Sequence, residues 1–132
     1  MRNFLKYCRL SFIISLLSCN VVKADTDTLE LISPQEASAL SIEKKAIILD
    51  VREDNEWNAA HIPGAIHIPL AQINNRLSEL QSYKNSAVIT QCRSGARSAK
   101  ALDILKSAGF TQVKNMEGGL IAWNKAGLKT EQ

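Results

Sequence analysis

Cysteine is scarce in this chain, and histidine is scarcer. Three cysteines (Cys8, Cys19, Cys92) and two histidines (His61, His67) occur among 132 residues. Cys8 and Cys19 fall in a leader-like stretch at the front, so the folded part keeps only Cys92, which excludes a structural disulfide within it. Two histidines and one thiol lack the spacing of a ligand set, so no metal centre is expected and no cofactor is called for. Linkers rich in proline, glycine or serine are missing, as are internal repeats and low-complexity tracts. With 45% hydrophobic residues, this leaves one globular domain with a core of ordinary size.

A surplus of positive charge is lacking too, once the charges are located. The formal net charge is +3, yet Arg2, Lys6, Arg9 and Lys23 all lie in the first 24 residues, where there is no acid. Taking these four from the 16 basic residues leaves 12 against 13 acidic ones, a balance of −1. No basic footprint remains for nucleic acid or for an anionic membrane.

What is present at the front has the design of an export signal: a positive start "MRNFLKYCR", an apolar "LSFIISLL", then small and polar residues. Its apolar run is shorter than the roughly 20 residues of a membrane-spanning helix. Cleavage behind Val22 and Ala24 would give a soluble, exported, periplasmic protein that begins at Asp25, with residues 1–24 as signal peptide and 25–132 as the domain. The alternative is the lipobox-like "LLSC", Leu16 to Cys19, in which a lipidated Cys19 would tether the protein to a membrane.

Beyond the leader, strand and helix patterns alternate. "TLELI" (28–32) alternates like a strand, and Ser33, Pro34 and Glu36 then mark a helix start with a capping box. "AIILDV" (46–51) reads as a buried strand, "REDNEWNAA" as a short polar helix, and Pro63-Gly64 as a turn. Leu70, Ile73, Leu77 and Leu80 form a helical stripe. "AVIT" (87–90) is a second buried strand, residues 98–108 a helix stopped by Gly109, "QVKNM" a last short strand, and "GLIAWNKAG" a last helix ended by Gly127. The expected fold is α/β: an open parallel sheet with helices on both faces, whose sites lie at the carboxyl ends of strands.

Cys92 stands at such an end, separated from the next helix by "RSGAR". Successive N–H groups in a tight loop entering a helix form an anion-binding nest, reinforced by the positive end of the helix. Gly95 permits the turn, and Arg93 and Arg97 add fixed positive charge. A thiolate in that field ionises below the free-cysteine value of about 8.5. The loop Cys92, Arg93, Ser94, Gly95, Ala96, Arg97 therefore supplies a nucleophile and an anion pocket together.

Four motifs, "DVREDNEW", "AHIPGAIHIP", "QCRSGARSAKAL" and "NMEGGLIAW", follow one another in the order and spacing of the rhodanese domain, and the chain resembles a single-domain rhodanese from about Leu29 to Leu128. The resemblance implies a rhodanese-like fold and a thiosulfate sulfurtransferase. Cys92 would take sulfane sulfur from a small anionic donor as a persulfide and pass it to cyanide or a thiol. It also implies that the six-residue loop holds the substrate. Ala60 departs from the family's usual glycine before "HIPGA".

Other residues keep two readings. Asp50 and Arg52 either support the loop as a charge network or form a plain ion pair joining strand to helix. His61 is a proton shuttle or a turn histidine bonded to backbone; His67, Trp57 and Trp123 read as packing. Glu117-Gly118-Gly119 either approaches the active loop closely or makes a simple turn. Two rival functions remain: a persulfide carrier with little turnover of its own, and a cysteine phosphatase. The phosphatase pattern places its arginine six positions after the cysteine, whereas Arg97 is five on. With no long apolar stripe left over, a monomer is expected.

Overall fold

Strands too apolar to face water on either side have to be covered on both. In the computed structural model, which describes residues 30–132, the chain runs β1 (Leu31–Ile32), α1 (Pro34–Ile42), β2 (Ala46–Asp50), α2 (Asp54–Ala59), β3 (Ile66–His67), α3 (Ile73–Arg76), β4 (Ala87–Gln91), α4 (Ala96–Ser107), β5 (Gln112–Met116) and α5 (Gly119–Lys125). All strand pairs are parallel, in the order β1-β5-β4-β2-β3. Val88, Leu49 and Val113 pack on one face with Leu102 and Leu105 of α4, while Ile48, Ile89 and Met116 pack on the other with Ala37 of α1 and Trp123 of α5. This is the α/β arrangement the alternation of patterns implies.

Register brings the chemistry to one edge. Asp50 pairs with Gln91, and Thr90 with Asn115, so β2, β4 and β5 all end at the same level. The segments leaving them, with Arg52, Cys92 and Glu117, emerge side by side at the carboxyl end of the sheet.

Several elements differ from the expectations. β1 covers only Leu31 and Ile32; the front of the expected strand and residues 1–24, with their signal-peptide and lipobox readings, lie outside the described residues. Ser33 caps α1 by accepting the Glu36 N–H at 3.2 Å, without the reciprocal half of the box. Ile66–His67, just after the Pro63-Gly64 turn and given no element in the pattern, adds a short edge strand beside β2. The stripe from Leu70 to Leu80 is not one α-helix: 3₁₀ turns at Leu70–Gln72 and Leu77–Tyr83 flank α3. Its apolar spacing of three, four and three residues accounts for this, because side chains three apart eclipse in a 3₁₀-helix and four-residue spacing suits the α turn between. α4 starts at Ala96, two residues earlier than the apolar pattern indicates.

Candidate active site

The loop after β4 is shaped by where its donors point. Gly95 adopts φ 109°, a left-handed conformation that turns the chain into α4, and its N–H donates to Cys92 Sγ at 3.1 Å. Ser98 Oγ lies 3.3 Å from the same sulfur. Cys92 itself is 1% exposed. Burial pushes its thiol up, but the Ser98 hydroxyl and the N–H groups of Ser98, Gly95 and Ser94 outweigh that and bring it below the ordinary thiol value. Arg93, Ser94 and Ala96 are exposed at the loop's rim.

Arg97 is already engaged. Its guanidinium holds the Glu56 carboxylate bidentately, at 2.7 and 2.8 Å, and Glu56 also accepts the Glu53 N–H at 3.0 Å. Of the two loop arginines, only Arg93 is without a carboxylate partner among the described residues.

Asp50 and Arg52 form a buried pair at 2.7 Å behind this contact. Arg52 reaches on to the carbonyls of Glu56 at 3.2 Å and Ala60 at 2.7 Å, closing the end of α2. The pair thus joins strand to helix, and the helix carries the carboxylate that holds Arg97, so the two readings of Asp50 and Arg52 describe one chain of contacts. Ala60, the departure from the family pattern, has extended backbone that any residue adopts.

The Arg97 hydrogen bonds hold the Glu56 carboxyl at about 2 against its ordinary 4.5, overcoming the opposing effect of burial. A depressed carboxyl stabilises the fold fully above its unfolded value and loses that contribution as pH falls from 4.5 towards 2. Glu56→Gln is expected to lower stability at neutral pH by about 1–2 kcal/mol, allowing for solvent screening. The gap from the parent should close as pH drops through that window in urea denaturation series. A gap independent of pH would show that Glu56 is not held by Arg97.

Gly119 seats the loop on α5. A Cβ on Gly119 would stand 2.5 Å from the Cys92 carbonyl oxygen and 2.5 Å from the Arg93 carbonyl carbon. That approach lets the Leu120 N–H reach the Cys92 carbonyl at 2.8 Å and the Ile121 N–H reach the Arg93 carbonyl at 3.1 Å. Glu117-Gly118-Gly119 is therefore a close approach to the active loop, not a simple turn. Gln91 also donates to the Cys92 carbonyl. Asn115 Nδ2 donates to the Gly95 carbonyl at 3.1 Å, a contact with no signature in the residue pattern.

Both histidines stack on Trp57, with centroids 3.7 Å away for His61 and 4.7 Å for His67. One ring nitrogen of each meets a backbone carbonyl, of Trp57 and Arg52 respectively. The other ring nitrogen lies 3.5 Å from Glu131 in His61 and 3.8 Å from Asp54 in His67, so both rings are fixed by stacking and polar contacts away from Cys92; Trp123 is buried with its indole N–H on the Lys129 carbonyl. Beside the loop, Arg93, Ala59, Ala60, Leu120, Ile121 and Asn124 border a groove of about 280 Å³.

Comparison with known proteins gives a consistent picture. The model of the rhodanese-like domain matches residues 33–126. A sulfurtransferase of Allochromatium vinosum is 35% identical over 99 residues, 75% of this chain and 91% of that protein. YrkF of Bacillus subtilis, named as a candidate sulfur carrier, is 43% identical over 76 residues, 58% of this chain and 40% of that one. The crystal structure of a rhodanese-like domain protein from Staphylococcus aureus superposes with a TM-score of 0.67 at 34% identity, covering 78% of this chain and 99% of that one. Against several other curated relatives the chain spans less than two thirds of their length, 59% of an uncharacterized Synechocystis protein among them.

Proposed function

The chain belongs to the rhodanese-like domain family, and from that membership we propose that it is a sulfurtransferase working through a Cys92 persulfide, with thiosulfate as donor and cyanide or a thiol as acceptor. The observation that carries this reading is the sulfur of Cys92, held at the carboxyl end of β4 by the Gly95 N–H and beside the Ser98 hydroxyl. The thiolate attacks the outer, sulfane sulfur of thiosulfate, the sulfur–sulfur bond breaks, and sulfite leaves with the bonding pair. An acceptor thiolate or cyanide then attacks the outer sulfur of the persulfide, and Cys92 departs as thiolate. Both halves need an anion stabilised at Cys92, which the loop donors supply.

One observation favours a second reading, that of a persulfide carrier served by a specific partner. Thiosulfate is a dianion, and with Arg97 held by Glu56 the loop offers it one arginine without a carboxylate partner among the described residues, Arg93. The two readings separate on a comparison of steady-state thiosulfate and cyanide turnover with single-turnover loading followed by intact mass. A sulfurtransferase gains one sulfur atom from thiosulfate and turns over with cyanide. Loading without turnover points to the carrier, and no adduct with thiosulfate removes that donor. The same mass tests the proposed export and processing: a protein beginning at Asp25 is expected, and a lipidated Cys19 at the N-terminus would show the tethered form instead. A phosphatase reading has no support in Arg97, which is committed to Glu56. We propose a monomer without nucleic-acid partners, in keeping with the balanced charge of the domain.

A further inference from the structure

The Gly95 carbonyl lies within reach of three donors. The Ala99 N–H approaches it at 3.1 Å as the first rung of α4, Asn115 Nδ2 at 3.1 Å from β5, and Ser98 Oγ at 3.1 Å. A carbonyl oxygen has two lone pairs. The Ala99 N–H is fixed by the helix and cannot turn elsewhere. The Asn115 amide must present its nitrogen, since its oxygen would face another oxygen. Only the Ser98 hydroxyl has an alternative acceptor, Cys92 Sγ at 3.3 Å.

We propose that Asn115 is a positioning residue: by occupying the second lone pair of the Gly95 carbonyl, it turns the Ser98 hydroxyl proton onto the Cys92 sulfur. Ser98 then joins the Gly95 N–H as a donor to the thiolate, and to the inner sulfur of the persulfide. Burial makes the arrangement consequential. Ser98 is fully buried and Asn115 is 7% exposed, so water is a poor substitute for either bond. Asn115 Oδ1 has no partner among the described residues. A buried amide with an unpaired oxygen is costly to keep, and its nitrogen makes its side-chain bond on Gly95. The ionisation of Cys92 agrees: burial acts upward, and the Ser98 hydroxyl leads the bonds that bring the thiol below its ordinary value.

The inference rests on Cys92 as the reactive sulfur. Its test reads thiol ionisation, so it can fail while sulfur transfer stands. The full chain would be alkylated with iodoacetamide across a pH series and followed at the Cys92 peptide by mass spectrometry, because Cys8 and Cys19 are also thiols. Ser98→Ala and Asn115→Ala are each expected to raise the midpoint by about one pH unit, slowing alkylation roughly tenfold below it, as loss of one hydrogen bond to a charged group does. The double variant should shift no further than either single one, because both changes remove the same bond. Asn115→Leu keeps the volume, lacks the donor, and should reproduce the shift if Asn115→Ala loosens the fold. An unmoved midpoint in Ser98→Ala, or shifts that add in the double variant, would overturn the proposal. The Ser98→Ala arm decides against it even if neither Asn115 variant folds.

Discussion

Gly119→Ala, at the start of α5, is expected to cost more stability than Gly127→Ala near its end, and to reduce sulfur transfer at least 100-fold. The added Cβ meets backbone on the other side: the Cys92 carbonyl oxygen and Arg93 carbonyl carbon at 2.5 Å, and the Arg93 oxygen at 2.6 Å. Backbone cannot swing aside as the end of a flexible side chain can, so either α5 or the Cys92 loop must move. Overpacking of this kind costs about 1–3 kcal/mol, and the φ of +58° adds strain that an alanine bears poorly. Activity should suffer beyond stability, because the Leu120 and Ile121 N–H groups anchor the loop and displacement of reacting groups by about 1 Å can cost 100-fold. Gly127→Ala is the control: its φ is +72°, yet nothing lies within 4 Å of the added carbon. Thermal unfolding and single-turnover persulfide formation should therefore separate the two variants. Equal stability losses in both would mean that the left-handed conformation, not the contact with the Cys92 loop, explains Gly119.

Much of this arrangement is legible along the chain because it is local. The run from Val88 to Gln91 announces a buried strand, and Cys92, Gly95 and the onset of α4 follow within a few residues. A nest and the cysteine it holds can be read there without knowing the fold. The order of the apolar runs likewise specifies a parallel sheet, and sheets of that kind place their sites at strand ends.

The features that escape are those made by residues far apart in sequence. Glu56 neutralises Arg97 across 41 positions, so a loop arginine that reads as an anion ligand is committed elsewhere. Asn115 lies 20 positions from Gly95 and looks like any polar residue in a strand. β3 is invisible for another reason: its two residues follow Pro63-Gly64, a strong turn signal, and pair only because β2 offers an open edge. The mixed helix before β4 was present in the spacing of Leu70, Ile73, Leu77 and Leu80, but a stripe of threes and fours is compatible with a single α-helix until the ends are built.

Replacing the proposed nucleophile gives the other large effect. Cys92→Ser is expected to reduce sulfur transfer to the background of the uncatalysed reaction, a loss of at least about 1,000-fold, while changing stability by no more than about 1.5 kcal/mol. The fold should tolerate the change because the side chain is nearly the same size and the hydroxyl finds partners ready: the Gly95 N–H that lay 3.1 Å from the sulfur, and Ser98. A buried hydroxyl with those partners is not an unsatisfied one. Chemistry should not tolerate it. The four donors that bring the thiol below its ordinary value act on a group already near neutrality, whereas a serine hydroxyl starts many units higher and stays protonated. An oxygen in place of sulfur also cannot carry a persulfide, so the intact mass after thiosulfate should show no added sulfur atom. Steady-state turnover, that mass and a thermal melt decide the matter together. A folded variant that still transferred sulfur well above background would mean that donor and acceptor react directly while both are bound. The kinetics of the parent would then show a ternary complex in place of a ping-pong pattern, and the loop's donors would be stabilising sulfite as it leaves, not a thiolate as it attacks.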